Sequence, residues 1–228
     1  FKFLQHDKVK KISYAASFGV NTWEYSNEQR LICEELIKKF DDISVREKSG
    51  VALCKEHFNV NALHLLDPTL LLSADDYKKL IPINKKNRTR KQLTVYILDI
   101  TSEKREIINY IAKKLNLSVT YVGNEFSDKQ NVYYTERIAP PVESWLEEFD
   151  NADFIFTDSF HGTAFSIIFN KPFISIGNPT RGVERFTSLL DLFNIADRLL
   201  IPQIKDVDNN IDFTLVDSIL NRPINFKY

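Results

Sequence analysis

Short apolar runs that do not alternate with polar residues recur along this chain, each followed by a stretch with helical spacing. Leu93-Thr94-Val95-Tyr96-Ile97-Leu98 precedes a helical pattern over Ser102 to Leu115, and Phe154-Ile155-Phe156 precedes one over Gly162 to Phe169. Phe173-Ile174-Ser175-Ile176, ended by Gly177, precedes a third over Glu184 to Phe193. A strand that is apolar on both sides must be covered on both sides. Helices between such strands do this in a parallel sheet. Few other folds accept the pattern.

The same rhythm runs through the first third. Lys11 to Gly19 reads as a strand ending in a glycine turn. Ser26 to Phe40 carries Leu31, Ile32, Leu36 and Phe40 at helical spacing behind Ser26 as N-cap. Ile43-Ser44-Val45-Arg46 reads as a strand, Ser49 to His57 as a helix, and Ala62 to Leu66 as a strand closed by Asp67-Pro68. Farther on, Ser102 is expected to cap its helix. Ser118 to Val122 reads as a strand ended by Gly123, and Pro141 to Phe149 as a helix with proline in its first turn. Pro82 to Lys91 is polar, basic and without apolar period, so it is expected to be a linker.

The expected fold is therefore α/β, with two Rossmann-like domains built on parallel sheets. The first is the remainder of an N-terminal domain (1–82), 83–91 is the linker, and 92–228 is the C-terminal domain. No methionine occurs, not even at position 1, and the first residues run straight into a strand-like segment. The chain is accordingly expected to be a fragment whose N-terminal domain is incomplete.

A net charge of −1 over 228 residues gives no support to nucleic-acid binding by general electrostatics. Two cysteines, Cys33 and Cys54, are too few for a disulfide framework; both fall in helical segments, as buried free thiols of a reducing compartment would. No apolar run reaches the ~20 residues of a membrane span. The start has no signal-peptide layout. The expected location is cytoplasmic, with at most peripheral membrane contact.

In open parallel sheets ligands bind beyond the carboxyl ends of the strands. Of the four histidines, His57 falls in a helix, His64 in a strand and His6 near the start; only His161 lies just past a strand's carboxyl end. There it meets the first N–H groups of the helix opening at Gly162, a natural anion site. Imidazole can donate or accept a proton near neutral pH. The plainer alternative is that His161 caps the turn or packs on Asp158. Asp158 can instead orient the imidazole. Ser159 reads as a helix cap rather than a nucleophile, since no G-x-S-x-G elbow is present.

Arg46 ends a strand, and its guanidinium suits carboxylate or phosphate. Arg181 and Arg185 follow the strand ending at Ile176. One can join an anion site while the other pairs with Glu184 or Asp191. Asp67-Pro68-Thr69 reads as a structural turn. No G-x-G-x-x-G or Walker loop occurs, and no residues have metal-ligand spacing, so neither cofactor nor metal is expected.

Four ordered segments resemble the polysaccharide pyruvyl transferases. They are Ile12 to Gly19, Ile43-Ser44-Val45-Arg46-Glu47, Leu66 to Leu72, and Phe156-Thr157-Asp158-Ser159-Phe160-His161-Gly162 through Ser166. The resemblance runs from about Lys11 to Arg198. It implies a GT-B-like arrangement with phosphoenolpyruvate as donor and a saccharide or lipid-linked oligosaccharide as acceptor. It implies that Arg46 binds the donor and that His161 serves as acid, base or phosphate partner. Several characterised members carry Arg-Leu-His where this chain has Ser159-Phe160-His161. That departure removes an anion-binding arginine, whose charge Arg181 or Arg185 would have to replace. Two other readings stay open. One is a nucleotide-sugar glycosyltransferase on the same fold, with Glu184 gripping the ribose; the other is a non-catalytic binding module.

Overall fold

The computed structural model describes residues 8–82, 91–122, 140–177, 182–201 and 213–222. The chain forms two compact units. One comprises Phe1–Leu71 with Asn178–Asn194, the other Leu72–Gly177 with Ile195–Tyr228.

The first unit holds a parallel three-stranded sheet in the order β1 (Ile12–Ala16), β2 (Asp42–Val45), β3 (Leu63–His64). Helices α1 (Asn27–Ile37) and α2 (Lys48–Phe58) supply the connections. Ser26 caps α1 as expected, within a capping box shared with Gln29. Ile37, Val45, Cys54, Phe58 and Ala62 make the buried core of this unit. The register of β1 on β2 shifts between Ser13 and Ala16, where Ala15 adopts a left-handed φ of 47°. Such a backbone costs an alanine roughly 1–2 kcal/mol. The Ser44 hydroxyl holds it, accepting from Ala15 N (2.8 Å) and donating to Ser13 O (2.9 Å).

The second unit holds a parallel five-stranded sheet. Its strands are β4 (Gln92–Tyr96), β5 (Ser118–Tyr121), β6 (Phe154–Thr157), β7 (Phe173–Ile176) and β8 (Leu199–Leu200), in the order β5-β4-β6-β7-β8. Leu93, Val95, Ile97, Phe154, Phe156, Ile174 and Ile176 turn one face toward α4 (Ser102–Leu115) and α8 (Phe213–Leu220). On the other face Tyr96 meets Trp145 of α5 (Val142–Asn151), and Ser175 meets Thr163 of α6 (Phe160–Ile168). Both faces of the sheet are covered, which is why its central strands β6 and β7 are buried along their whole length. The expected parallel α/β architecture is what forms.

Four details differ from expectation. Thr101, not Ser102, caps α4, because Thr101 has the extended backbone (φ −122°, ψ 168°) an N-cap needs and accepts from Lys104 N at 3.3 Å. Helix α6 starts at Phe160 rather than Gly162. Helix α3 (Ala74–Lys78), in the stretch assigned from sequence to the N-terminal domain, groups with the second unit. Its Tyr77 ring packs on Phe165 at 4.8 Å, and Lys78 pairs with Asp150 at 3.4 Å. Conversely α7 (Glu184–Leu192) groups with the first unit, where Ser188 accepts from Lys48 N at 3.2 Å. Residues 83–90 of the expected linker lie outside the described residues.

Candidate active site

Strand β4 is the first of the second sheet in sequence, and its two neighbours are β5 and β6. The chain leaves β4 toward β5 and then crosses to β6 on the opposite side. The order therefore reverses between β4 and β6. Parallel α/β sheets bind ligands at the carboxyl ends of the strands flanking such a switch point. Here those ends are Tyr96 through Asp99 and Thr157 through His161.

Asp158 ties the two together. Its buried carboxylate accepts from Leu98 N (2.7 Å), Asp99 N (3.2 Å) and Lys104 Nζ (2.7 Å). Lys104 also donates to Asp99 O at 2.6 Å. The ammonium is nearly as buried as its partner, with side-chain exposures of 9% and 2%. A lysine in the first turn of a helix opposes the helix dipole, so α4 carries Lys104 there for these two oxygens. The hydrogen bonds of Asp158 thus brace the loop after β4.

Thr157 shapes the floor. Its hydroxyl donates to Tyr96 O (2.7 Å) and accepts from Ser159 N (3.1 Å). Ser159 has extended backbone and accepts from Gly162 N at 3.3 Å, the expected capping role. Gly162 is fully enclosed. A Cβ there would fall on the Thr157 hydroxyl and come within 3.1 Å of the Tyr96 ring. Burial raises the Tyr96 phenol above its ordinary value; the Ser159 hydroxyl opposes that by hydrogen bonding, and the charge of Asp158 adds to it. His161, in contrast, is exposed on the first turn of α6, its ring edge-on to Phe160 at 5.4 Å.

Tyr96 and Lys104 were not singled out from sequence. Lys104 looked like an ordinary solvated helix residue, and only its place in a first turn, against the dipole, hinted at a buried partner. Tyr96 sat inside a strand run and gave no sign that it ended at the switch point.

Arg46 and Arg185 belong to the first unit. Arg46 follows β2, donates from Nε to Ala15 O at 2.9 Å, and forms an ion pair with Asp67. Asp67 in turn accepts from the Thr69 hydroxyl (2.7 Å) and Thr69 N (3.0 Å). The Asp67-Pro68-Thr69 turn therefore orients the Arg46 guanidinium, which keeps 20% side-chain exposure. Glu47, next in sequence, is fully buried and accepts from the Ser17 hydroxyl, so it is no surface partner of Arg46. Arg185 lies in the first turn of α7, its Nε 3.9 Å from where a Cβ on Gly19 would stand. Glu184 accepts from Asn21 at 3.2 Å. Arg181 lies outside the described residues.

The family model described as polysaccharide pyruvyl transferase matches residues 1–180 of the chain. The chain belongs to the polysaccharide pyruvyl transferase family. That span takes in the whole three-stranded sheet of the first unit and the second unit through β7, so both strand ends described above lie within it. No curated protein matches the chain in a sequence comparison. No helix among the described residues is long and apolar enough to cross a membrane.

Proposed function

We propose that this chain transfers a pyruvyl group from phosphoenolpyruvate to a sugar of a surface polysaccharide, forming a cyclic pyruvate ketal. The observation that carries the reading is the placement of His161: exposed, on the first turn of α6, at the switch point of the five-stranded sheet.

The donor's phosphate-bearing enol carbon becomes electrophilic when its methylene carbon takes up a proton. His161, as imidazolium, supplies that proton, and the resulting oxocarbenium-like carbon is attacked by one sugar hydroxyl. A second hydroxyl closes the ring at the same carbon as the C–O bond to phosphate breaks; the first hydroxyl's proton leaves on the phosphate, as hydrogen phosphate, and the second's returns to the now neutral imidazole. The N–H groups opening α6 favour the phosphate. Arg46 binds the donor's anionic groups while held by Asp67 and the Ala15 carbonyl. Asp158, paired with Lys104, supports His161 by fixing the turn on which it stands.

Incubation of the protein with phosphoenolpyruvate and a panel of acceptor glycans, following phosphate release and ketal formation, tests this directly. Turnover is expected to disappear in His161→Ala, while Arg46→Ala raises KM for the donor at least tenfold with a smaller change in kcat. Undiminished turnover in His161→Ala sinks the assignment. Absence of phosphate release across the panel, with no thermal stabilisation by phosphoenolpyruvate, sinks the donor.

A further inference from the structure

The first unit contains an apolar cavity of about 260 Å³ between the sheet and its two helices. We propose that it is a binding site for an uncharged group of about one ring in size that bears a hydrogen-bond acceptor. An apolar cavity of ~150 Å³ already admits a benzene ring, so this one has room for a ring and a substituent. Its lining includes Phe18, Trp23, Tyr25, Cys33, Cys54 and Phe58, and none of its lining residues is charged. An anion such as phosphoenolpyruvate would lose its hydration there with no cation to offset the loss. The cavity is therefore distinct from any donor site. Tyr25 is 47% exposed and Cys54 1%, so the lining runs from the surface into the core.

Trp23 gives the cavity its chemical preference. Its indole is fixed by a stacked His57 ring at 4.2 Å and by the edge contacts of Tyr25 (5.0 Å) and Phe58 (5.4 Å). Its Nε1 is buried and has no hydrogen-bond partner among the described residues. A buried donor left unpaired is costly, and an acceptor oxygen on a ligand relieves that cost. An apolar ring with one hydroxyl, ether or carbonyl oxygen meets both demands.

Benzyl alcohol and toluene are suitable probes, since they share the ring and differ in the acceptor. Added to the full chain, both are expected to raise the melting temperature saturably and to slow modification of Cys33 and Cys54 by a small thiol reagent. Benzyl alcohol should bind several-fold more tightly than toluene. In Trp23→Phe, which keeps a ring but removes the donor, that ratio should fall to about one. Filling the cavity in Cys54→Phe should abolish both effects; if that variant does not fold, the ratio in Trp23→Phe still decides. No saturable effect of either probe overturns the site, as does binding unchanged in a folded Cys54→Phe. A ratio unchanged in Trp23→Phe overturns the role of the indole.

Discussion

Two residues show how local packing limits substitution. Gly162 has no left-handed backbone to excuse it; it is glycine because Thr157 and Tyr96 occupy the space a methyl would need. Gly162→Ala must push α6 off the sheet or break the Thr157 hydrogen bonds. Overpacking of this kind costs about 1–3 kcal/mol. Denaturant unfolding should register that loss, together with reduced turnover because His161 rides on the same turn. A variant as stable as the parent would mean that the contact relaxes freely. Cys54 is limited by solvation instead, since burial pushes its thiol from 9.0 up to about 11. The folded state keeps a proton that the unfolded chain releases. The resulting stability is fully present below pH 9 and is lost as the pH rises toward 11. Cys54→Ala should therefore flatten the stability curve over that window, and an unchanged slope would assign it to other groups.

At the scale of elements, the β6–α6 turn was readable because its parts are local. An apolar strand, a serine cap and a histidine two residues on are visible in eight consecutive residues. The partners that make the turn rigid come from β4 and α4, some sixty residues earlier, and no periodicity announces them. Asp158 illustrates the gap: beside His161 in sequence, it suggested an imidazole partner, yet its hydrogen bonds run to Leu98, Asp99 and Lys104. Short elements were lost for a related reason. The two-residue β8 exists only as an addition to β7, and the five-residue α3, though capped by Ser73 with Asp76, packs its Tyr77 on the distant Phe165. Removing one member of a buried pair leaves an uncompensated charge worth about 3–5 kcal/mol. Asp158→Asn and Lys104→Met should each destabilise the protein by that order, and the double variant by clearly less than their sum. Additive losses would show that the two groups act separately.

At the scale of the whole molecule, sequence order misleads most around residue 182. The strands Phe154–Thr157 and Phe173–Ile176 and the helix Glu184–Leu192 follow one another as if they formed one βαβα domain. The helix nevertheless completes the first unit: it buries Phe186, Leu189 and Leu190, and steric and polar contacts fix its place. Gly182, with φ +82°, sits against the backbone of Gly19, itself at φ +80°, so closely that a Cβ would overlap the Gly19 carbonyl. Ser188 then accepts from Lys48 N at the start of α2, and Asn21 bonds Glu184. Two glycines at left-handed backbone positions and one serine on a helix face carry no signal of partnership when read along the chain. Gly182→Ala tests the assignment, because it combines a strained φ with the overlap. Native-state hydrogen exchange should then show protection falling together in α7 and α2, with β6 and β7 unchanged, as expected for one cooperative unit. Protection lost in β7 but kept in α2 would place α7 with the second unit instead.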